Sequence, residues 1–217
     1  MKRALFFGLT TLDIQYYSDE FPEANVKVKT DPPEFFVGGP ATNAAVAYAA
    51  LNGEANLLAA IGESPFRSLF IDDFRSTGVS CLDLLKDQQV QPVLATVITS
   101  SGGQRTIFTH NPRKLAVSFD EKKLFDEHRP ELLMLDGFYP EVAGRLAKEA
   151  KSRQIPVVFD GGSWKPHLPE LLPFVDVPFA PMISIRPIAE LPKLFLRFLI
   201  NFQLPIRPSP GEQIQFW

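Results

Sequence analysis

Two glycines in succession, Gly38 and Gly39, stand immediately before a proline and an alanine-rich run, with Asn43 three residues further on. Glycine lets a backbone approach a ligand closely and adopt positive φ. A helix opening at Pro40 would aim its first N–H groups at the same place. Asn43, in the first turn, offers both a donor and an acceptor, which suits a ligand rich in hydroxyls. The alternative stays open at this level: a tight turn followed by a helix packed through small residues. Three aspartates, Asp13, Asp136 and Asp160, fall at or just after expected strand ends, so three carboxylates could collect along one edge of a sheet. Loop capping or surface solvation is the other reading of each.

The elements that would position them read as alternating strands and helices. Arg3 to Gly8 is an apolar run ending in glycine, a buried strand. Residues 14–37 carry β-branched and aromatic residues broken by Pro22, Pro32 and Pro33, as short strands at a sheet edge would. Ala41 to Leu51 predicts a helix stopped near Gly53. Asn56 to Ile61 predicts a strand. Phe66 to Thr77 predicts a helix with Phe66, Leu69, Phe70 and Phe74 at helical spacing, ended by Gly78. Val93–Thr99 and Thr106–Thr109 flank Ser100-Ser101-Gly102-Gly103, a hairpin signal. Glu131–Leu135 and Pro156–Phe159 read as strands around a helix over Glu141–Ser152 whose Val142, Leu146 and Ala150 share a side. This rhythm argues for an α/β fold, a mostly parallel, doubly wound sheet, whose ligands bind at the carboxyl ends of the strands.

Composition narrows the classes. The 217 residues are 45% hydrophobic and 22% charged, with a formal net charge of −3, the balance of a globular protein with no electrostatic reason to bind nucleic acid or anionic membranes. Pairs such as Lys122–Lys123 read as solvated surface. Cys81 is the only cysteine, so the chain builds no disulfide framework, and a reducing, cytoplasmic setting is expected. The start reads as a buried strand rather than a leader. No apolar stretch is long enough for a membrane span; residues 194–200 are apolar but short and interrupted by Arg197. His110, His128 and His167 show no metal-ligand spacing.

From Pro178 to Pro210 the text changes: seven prolines, no aspartate and one glutamate, Glu190. Prolines at 178, 181, 187 and 192 interrupt any regular element.

Several segments resemble the pfkB family of carbohydrate kinases. FVGGPATNAAVAYAALNGEANLLAAIG (36–62) is similar to that family's N-terminal signature, and GLTTLD (8–13) to its first strand and the aspartate that follows. GGQRTIF (102–108) is similar to the hairpin over the sugar, MLDGF (134–138) to a strand ending beside substrate, and VVFDGGSWKP (157–166) to the next strand and its loop. The resemblance covers about residues 1–177. It implies a ribokinase-like fold with a small β lid near 14–36 and 94–109, and ATP-dependent, Mg²⁺-assisted phosphoryl transfer to an alcohol group of a sugar or similar substrate. It implies that Asp13 accepts hydrogen bonds from sugar hydroxyls, that Gly38, Gly39 and Asn43 line the same pocket, and that Asp136 contacts substrate. Arg105 either reaches an anionic group of the substrate or holds the hairpin. Lys165 falls near the phosphate. A homodimer through the lid is compatible with the family.

The family's Gly-Ala-Gly-Asp motif, whose aspartate is the catalytic base and whose helix N-terminus forms the anion hole, is absent from the 217 residues, and no Walker-type loop replaces it. The expectation is a chain truncated relative to the family, inactive, and not binding ATP and Mg²⁺ competently. Residues 178–217 read as an aberrant tail. A one-base shift near residues 177–178 admits codons that restore an Asn-Asp pair, so a frameshift is expected there. Two other functions stand beside this one. A non-catalytic sugar-binding or regulatory module would keep Asp13 and Asn43. A dinucleotide-binding oxidoreductase would need a G-x-G-x-x-G turn where GLTTLD stands. A fragment that does not fold stably is the remaining alternative.

Overall fold

The computed structural model describes residues 2–110, 114–162 and 165–179, together with the backbone of two short strands at Ile206–Arg207 and Gln215–Phe216. Strands β1 (Arg3–Phe7), β4 (Glu54–Ala59), β5 (Ser80–Asp83), β8 (Leu132–Leu135), β9 (Val157–Asp160) and β10 (Val177–Phe179) form one parallel sheet in the order β10-β9-β8-β1-β4-β5. Among the described residues the α-helices are α1 (Pro40–Ala50), α2 (Arg67–Thr77), α3 (Glu121–His128), α4 (Pro140–Ser152) and the short α5 (Leu168–Leu171), which runs into a 3-10 turn at Leu172–Phe174.

The first strand shows why the sheet is covered on both sides. Leu5 and Phe7 point into a core with Phe125 of α3 and Val142, Leu146 and Ala150 of α4. Ala4 and Phe6 point into a second core with Ala41 and Ala45 of α1 and Phe70 and Phe74 of α2. Alternation at period two thus feeds two apolar layers. Each fully buried Leu or Phe contributes roughly 1.5–3 kcal/mol by leaving water. From β1 the chain winds one way through β4 and β5 and the other way through β8, β9 and β10. The switch point lies between the carboxyl ends of β1 and β8, where open sheets of this kind hold ligands.

A separate four-stranded sheet, β3-β2-β6-β7, stands on this body. It comprises β2 (Thr11–Ser18), β3 (Glu34–Gly38), β6 (Val93–Ser100) and β7 (Arg105–Thr109). The β2/β3 and β6/β7 pairs are antiparallel and β2/β6 is parallel. This is the expected β lid, begun earlier and ended later than the breaks in sequence suggested: it includes Thr11 to Asp13 and reaches Gly38.

Three local expectations need correction. Asp13 does not follow the first strand directly; it lies inside β2, in register with Phe36 of β3 and Ala95 of β6. The stop of α1 is made by Asn52, with φ of 62°, rather than by Gly53. Gly53 is needed because a side chain there would collide with the ring of Tyr48. Leu69 lies exposed on α2, and the helix is anchored by Phe70 and Phe74 instead. Gly78 ends α2 in the left-handed region as expected, with φ of 74°. Of the expected aberrant tail from Pro178 onward, Pro178 and Phe179 instead continue β10, in register with Phe159 and Asp160 of β9; the expectations for residues 180–217, and those for Ser163 and Trp164, lie outside the described residues, apart from the antiparallel pairing of Ile206–Arg207 with Gln215–Phe216.

Candidate functional site

The switch point is organised around one carboxylate. Asp136, just past β8, is 1% exposed. Its Oδ2 accepts from the backbone N–H of Leu9 at 2.7 Å and of Ala41 at 3.3 Å, and its Oδ1 from Phe138 N–H at 3.0 Å. Three segments are therefore fastened together: the exit of β1, the first turn of α1 and the loop entering α4. Gly8 is glycine because a Cβ would run into this carboxylate. Burial pushes the Asp136 carboxyl up to about 6, against the pull of the three N–H groups and of Lys165. A second bridge lies beside it: the buried hydroxyl of Thr42 donates to that of Thr10 at 3.1 Å.

The double glycine has a specific job. Gly39 has φ of 103°, and a Cβ on it would strike the carbonyl of Leu9. Pro40 follows at the first helical positions, and Asn43 N–H closes the first turn onto Gly39 O at 2.9 Å. The asparagine is exposed at the helix mouth. The N–H of Ala41, which the sequence reading aimed at a ligand, is instead held by Asp136.

Asp13 sits above, on the lid, half-buried. Its Oδ1 accepts from Thr11 Oγ1 at 2.7 Å. A Cβ on Gly38 would lie 2.7 Å from its Oδ2, so Gly38 leaves room for this carboxylate. Burial raises the Asp13 pKa, opposed by the Thr11 hydroxyl. Asp13, Gly38, Gly39 and Asn43 thus follow one continuous path from lid strand to helix. Asp13 offers an ionisable acceptor and Asn43 an amide, the set that binds vicinal hydroxyls.

Arg105 is not on that path. It pairs with Thr99, whereas Asp13 is level with Ala95 and Thr109, four residues away along the hairpin. That is about 13 Å at a strand's rise per residue. Lys165 lies close to the switch point: its Nζ donates to Asp136 O at 3.4 Å and stands 4.5 Å over the ring of Phe138. Burial lowers its pKa, while Asp136 and Asp160 favour the charged form. Asp160, at the end of β9, is raised by burial and opposed by Gly162 N–H and Lys165. His167, expected only to lack metal-ligand spacing, is near this loop: its Nε2–H donates to Gly137 O at 2.7 Å. Thr10, Thr11 and Thr42 were not expected at the site, although their hydroxyls bond there. The run Thr10-Thr11 before Asp13 is the one signal that could have drawn attention to hydroxyls at this place.

Comparison with known proteins gives a consistent result. The model of the "pfkB family carbohydrate kinase" matches residues 1–180. An ATP-dependent ribose-1-phosphate kinase of Halopiger xanaduensis is 26% identical over 165 residues, 75% of this chain and 55% of that protein. The chain therefore spans about half the length of this curated relative. A protein of Agrobacterium tumefaciens classed as a ribokinase superposes with a TM-score of 0.76 at 18% identity, over 94% of this chain and 68% of that one. The ribokinase of Arabidopsis thaliana, solved with ribose and ATP, gives 0.62 at 18%, over 82% and 59%.

Proposed function

The chain belongs to the pfkB family of carbohydrate kinases, and we propose that its described residues form the sugar-holding half of an ATP-dependent kinase site acting on an alcohol group of a sugar or similar substrate. The observation that carries this reading is the Asp13 carboxylate, placed by β2 and given room by Gly38, next to the Gly39–Asn43 turn at the switch point. In this reading Asp13 accepts from sugar hydroxyls, and Asn43 completes the contact from the helix mouth. Asp136 is a positioning residue: with its oxygens bonded to three backbone N–H groups, it fixes the floor on which the substrate rests. Lys165 steadies the same floor through the Asp136 carbonyl and supplies positive charge near it. Arg105 holds the hairpin.

The described residues do not fit a nucleotide and Mg²⁺. No Gly-Ala-Gly-Asp motif occurs in the sequence, the α1 N-terminus already receives Asp136, and no group of three metal-ligating side chains exists among the described residues. ATP and the metal would be held by residues outside the described ones, and the 217-residue chain alone turns over no ATP. A coupled kinase assay over a sugar panel, with and without a longer version carrying the missing motif, tests this; turnover by the short chain refutes it.

The sealing of Asp136 by three backbone N–H groups beside the open Asp13 also fits a second reading, a sugar-binding or regulatory module that keeps Asp13 and Asn43. Sugar binding that persists without turnover in every longer version would support it. The lid suits a homodimer. Phe35, Ile14, Thr96 and Phe108 lie level across all four lid strands on the face opposite Asp13, with Phe35 49% and Phe108 65% exposed. A second copy laid on that row would cover both rings. A cytoplasmic setting fits the single, partly buried Cys81; no helix among the described residues is long and apolar enough to cross a membrane.

A further inference from the structure

Strand β5 ends the main sheet, two strands over from β1. Helix α2 packs on one face of that sheet through Phe70 and Phe74, and α3 on the other through Phe125. Between the two helices, along the edge of β5, lies a cavity of about 530 Å³. Its walls are largely apolar: Leu82 and Leu84 from β5 and the turn after it, Ile71 from α2, Phe119 and Leu124 from the α3 side, and the half-buried Cys81. Volume and lining are those of a small-molecule site. None of the residues assigned above to the sugar lines it.

The charged groups around this cavity differ in what they have left to offer. Asp83 accepts from the backbone N–H groups of Ile61, Gly62 and Leu85 at 3.0, 3.1 and 3.0 Å, and from Arg67 Nη1. Arg67 is held further by Gly62 O at 3.0 Å and by Glu63 at 3.1 Å. Asp120 caps α3 by accepting from Lys123 N–H at 3.1 Å, and Lys123 Nζ lies 3.7 Å from Glu127. Lys86, exposed on the turn after β5, has no side-chain partner among the described residues. Each lining carboxylate is thus already engaged, and one ammonium is not. Apolar walls and one open cation match an apolar body that carries a single anionic group. A polyanion would meet Asp120 and Glu127 at the same mouth. We infer that this cavity is a second binding site, for a small aromatic or aliphatic monoanion, with Lys86 as the residue that receives its charge.

A matched pair of ligands tests this: 1-naphthoate and 1-naphthalenemethanol share one apolar body and differ in charge. Cys81, the only cysteine of the chain, lines the cavity and reports its occupancy. Its alkylation by N-ethylmaleimide is followed by mass spectrometry in the 217-residue chain at rising ligand concentration, each variant compared with its own rate without ligand. Both compounds should slow the reaction. The apparent affinity of 1-naphthoate should be roughly threefold to tenfold the higher, the range of an ion pair at a half-open site. Lys86→Glu, at an exposed position, should reverse that order with an unchanged thermal midpoint. Ile71→Cys in a Cys81→Ala background moves the thiol to the helical wall, covers the case of a slow native thiol, and should give the same order. Protection by neither compound in either background overturns the inference. Equal protection by both, or an order that Lys86→Glu leaves unchanged, marks a site for neutral molecules and also overturns it. A thiol shielded at high protein concentration and released on dilution would put a second copy in the cavity, with the same consequence. The sugar site stands or falls separately from all of these.

Discussion

Asp13, within β2, and Asp136, just past β8, have surroundings that prepare them for opposite work. Asp13 keeps one side-chain hydroxyl, that of Thr11, and is open enough to take a ligand. Asp136 is sealed, with three backbone N–H groups on its two oxygens. Asp13→Ala should therefore weaken sugar binding roughly 10- to 100-fold, the worth of a charged hydrogen bond or two, with little change in thermal midpoint. Since burial raises its pKa, that affinity should begin to fall at a pH above the ordinary aspartate range as the carboxylate takes up a proton. Asp136 speaks through stability. Its folded pKa of about 6 exceeds the ordinary 3.8, so the fold favours the protonated form. The stabilisation this gives is complete below about pH 3.8 and is lost as pH rises through 6, about 3 kcal/mol in all. Asp136→Asn keeps an oxygen for Leu9 and Ala41 but cannot ionise. In urea melts between pH 4 and 7 the wild type should lose stability relative to this variant as pH rises. Parallel curves would contradict the assignment.

Among the elements, two glycines in the left-handed region make a controlled comparison. Gly39 has the Leu9 carbonyl where a Cβ would go, whereas Gly78 has nothing within 4 Å. Gly78→Ala should cost about 1 kcal/mol, from backbone conformation alone. Gly39→Ala should cost roughly 2–4 kcal/mol and disturb sugar binding, because the β1 exit and the α1 entry must part. Equal melts for the two variants would count against the tight packing. The same elements show what was readable in sequence. The β1 strand, α1, α4 and the β6–β7 hairpin announced themselves through apolar runs, alanines, helical spacing and Ser-Gly-Gly turns. The β5 strand was missed because its four residues are only partly buried and show no period. Helix α3 was missed because its signal is a cap: Asp120 accepts from Lys123 N–H at 3.1 Å. Of the site, the glycines and Asp13 were legible through their motif. The occupation of the α1 N-terminus by Asp136 was not, since it joins residues 95 apart and no local pattern encodes it.

The whole molecule is a doubly wound sheet with a lid, and the rings of Phe35 and Phe108 are exposed on the lid face opposite Asp13. The outer row predicts assembly: Phe108→Glu, at the most exposed ring, should shift sedimentation from dimer to monomer while sugar binding persists. A wild-type monomer at high concentration would remove the dimer from the reading. The lid and the switch point together make the central claim, that these residues hold the sugar of a carbohydrate kinase. Calorimetric titration of D-ribose, D-fructose and D-glucose into the 217-residue chain and its Asp13→Ala variant tests that claim most directly. At least one sugar should bind without ATP being consumed, and Asp13→Ala should weaken that binding roughly tenfold or more. Absence of binding for every sugar, or binding indifferent to Asp13→Ala, would contradict it.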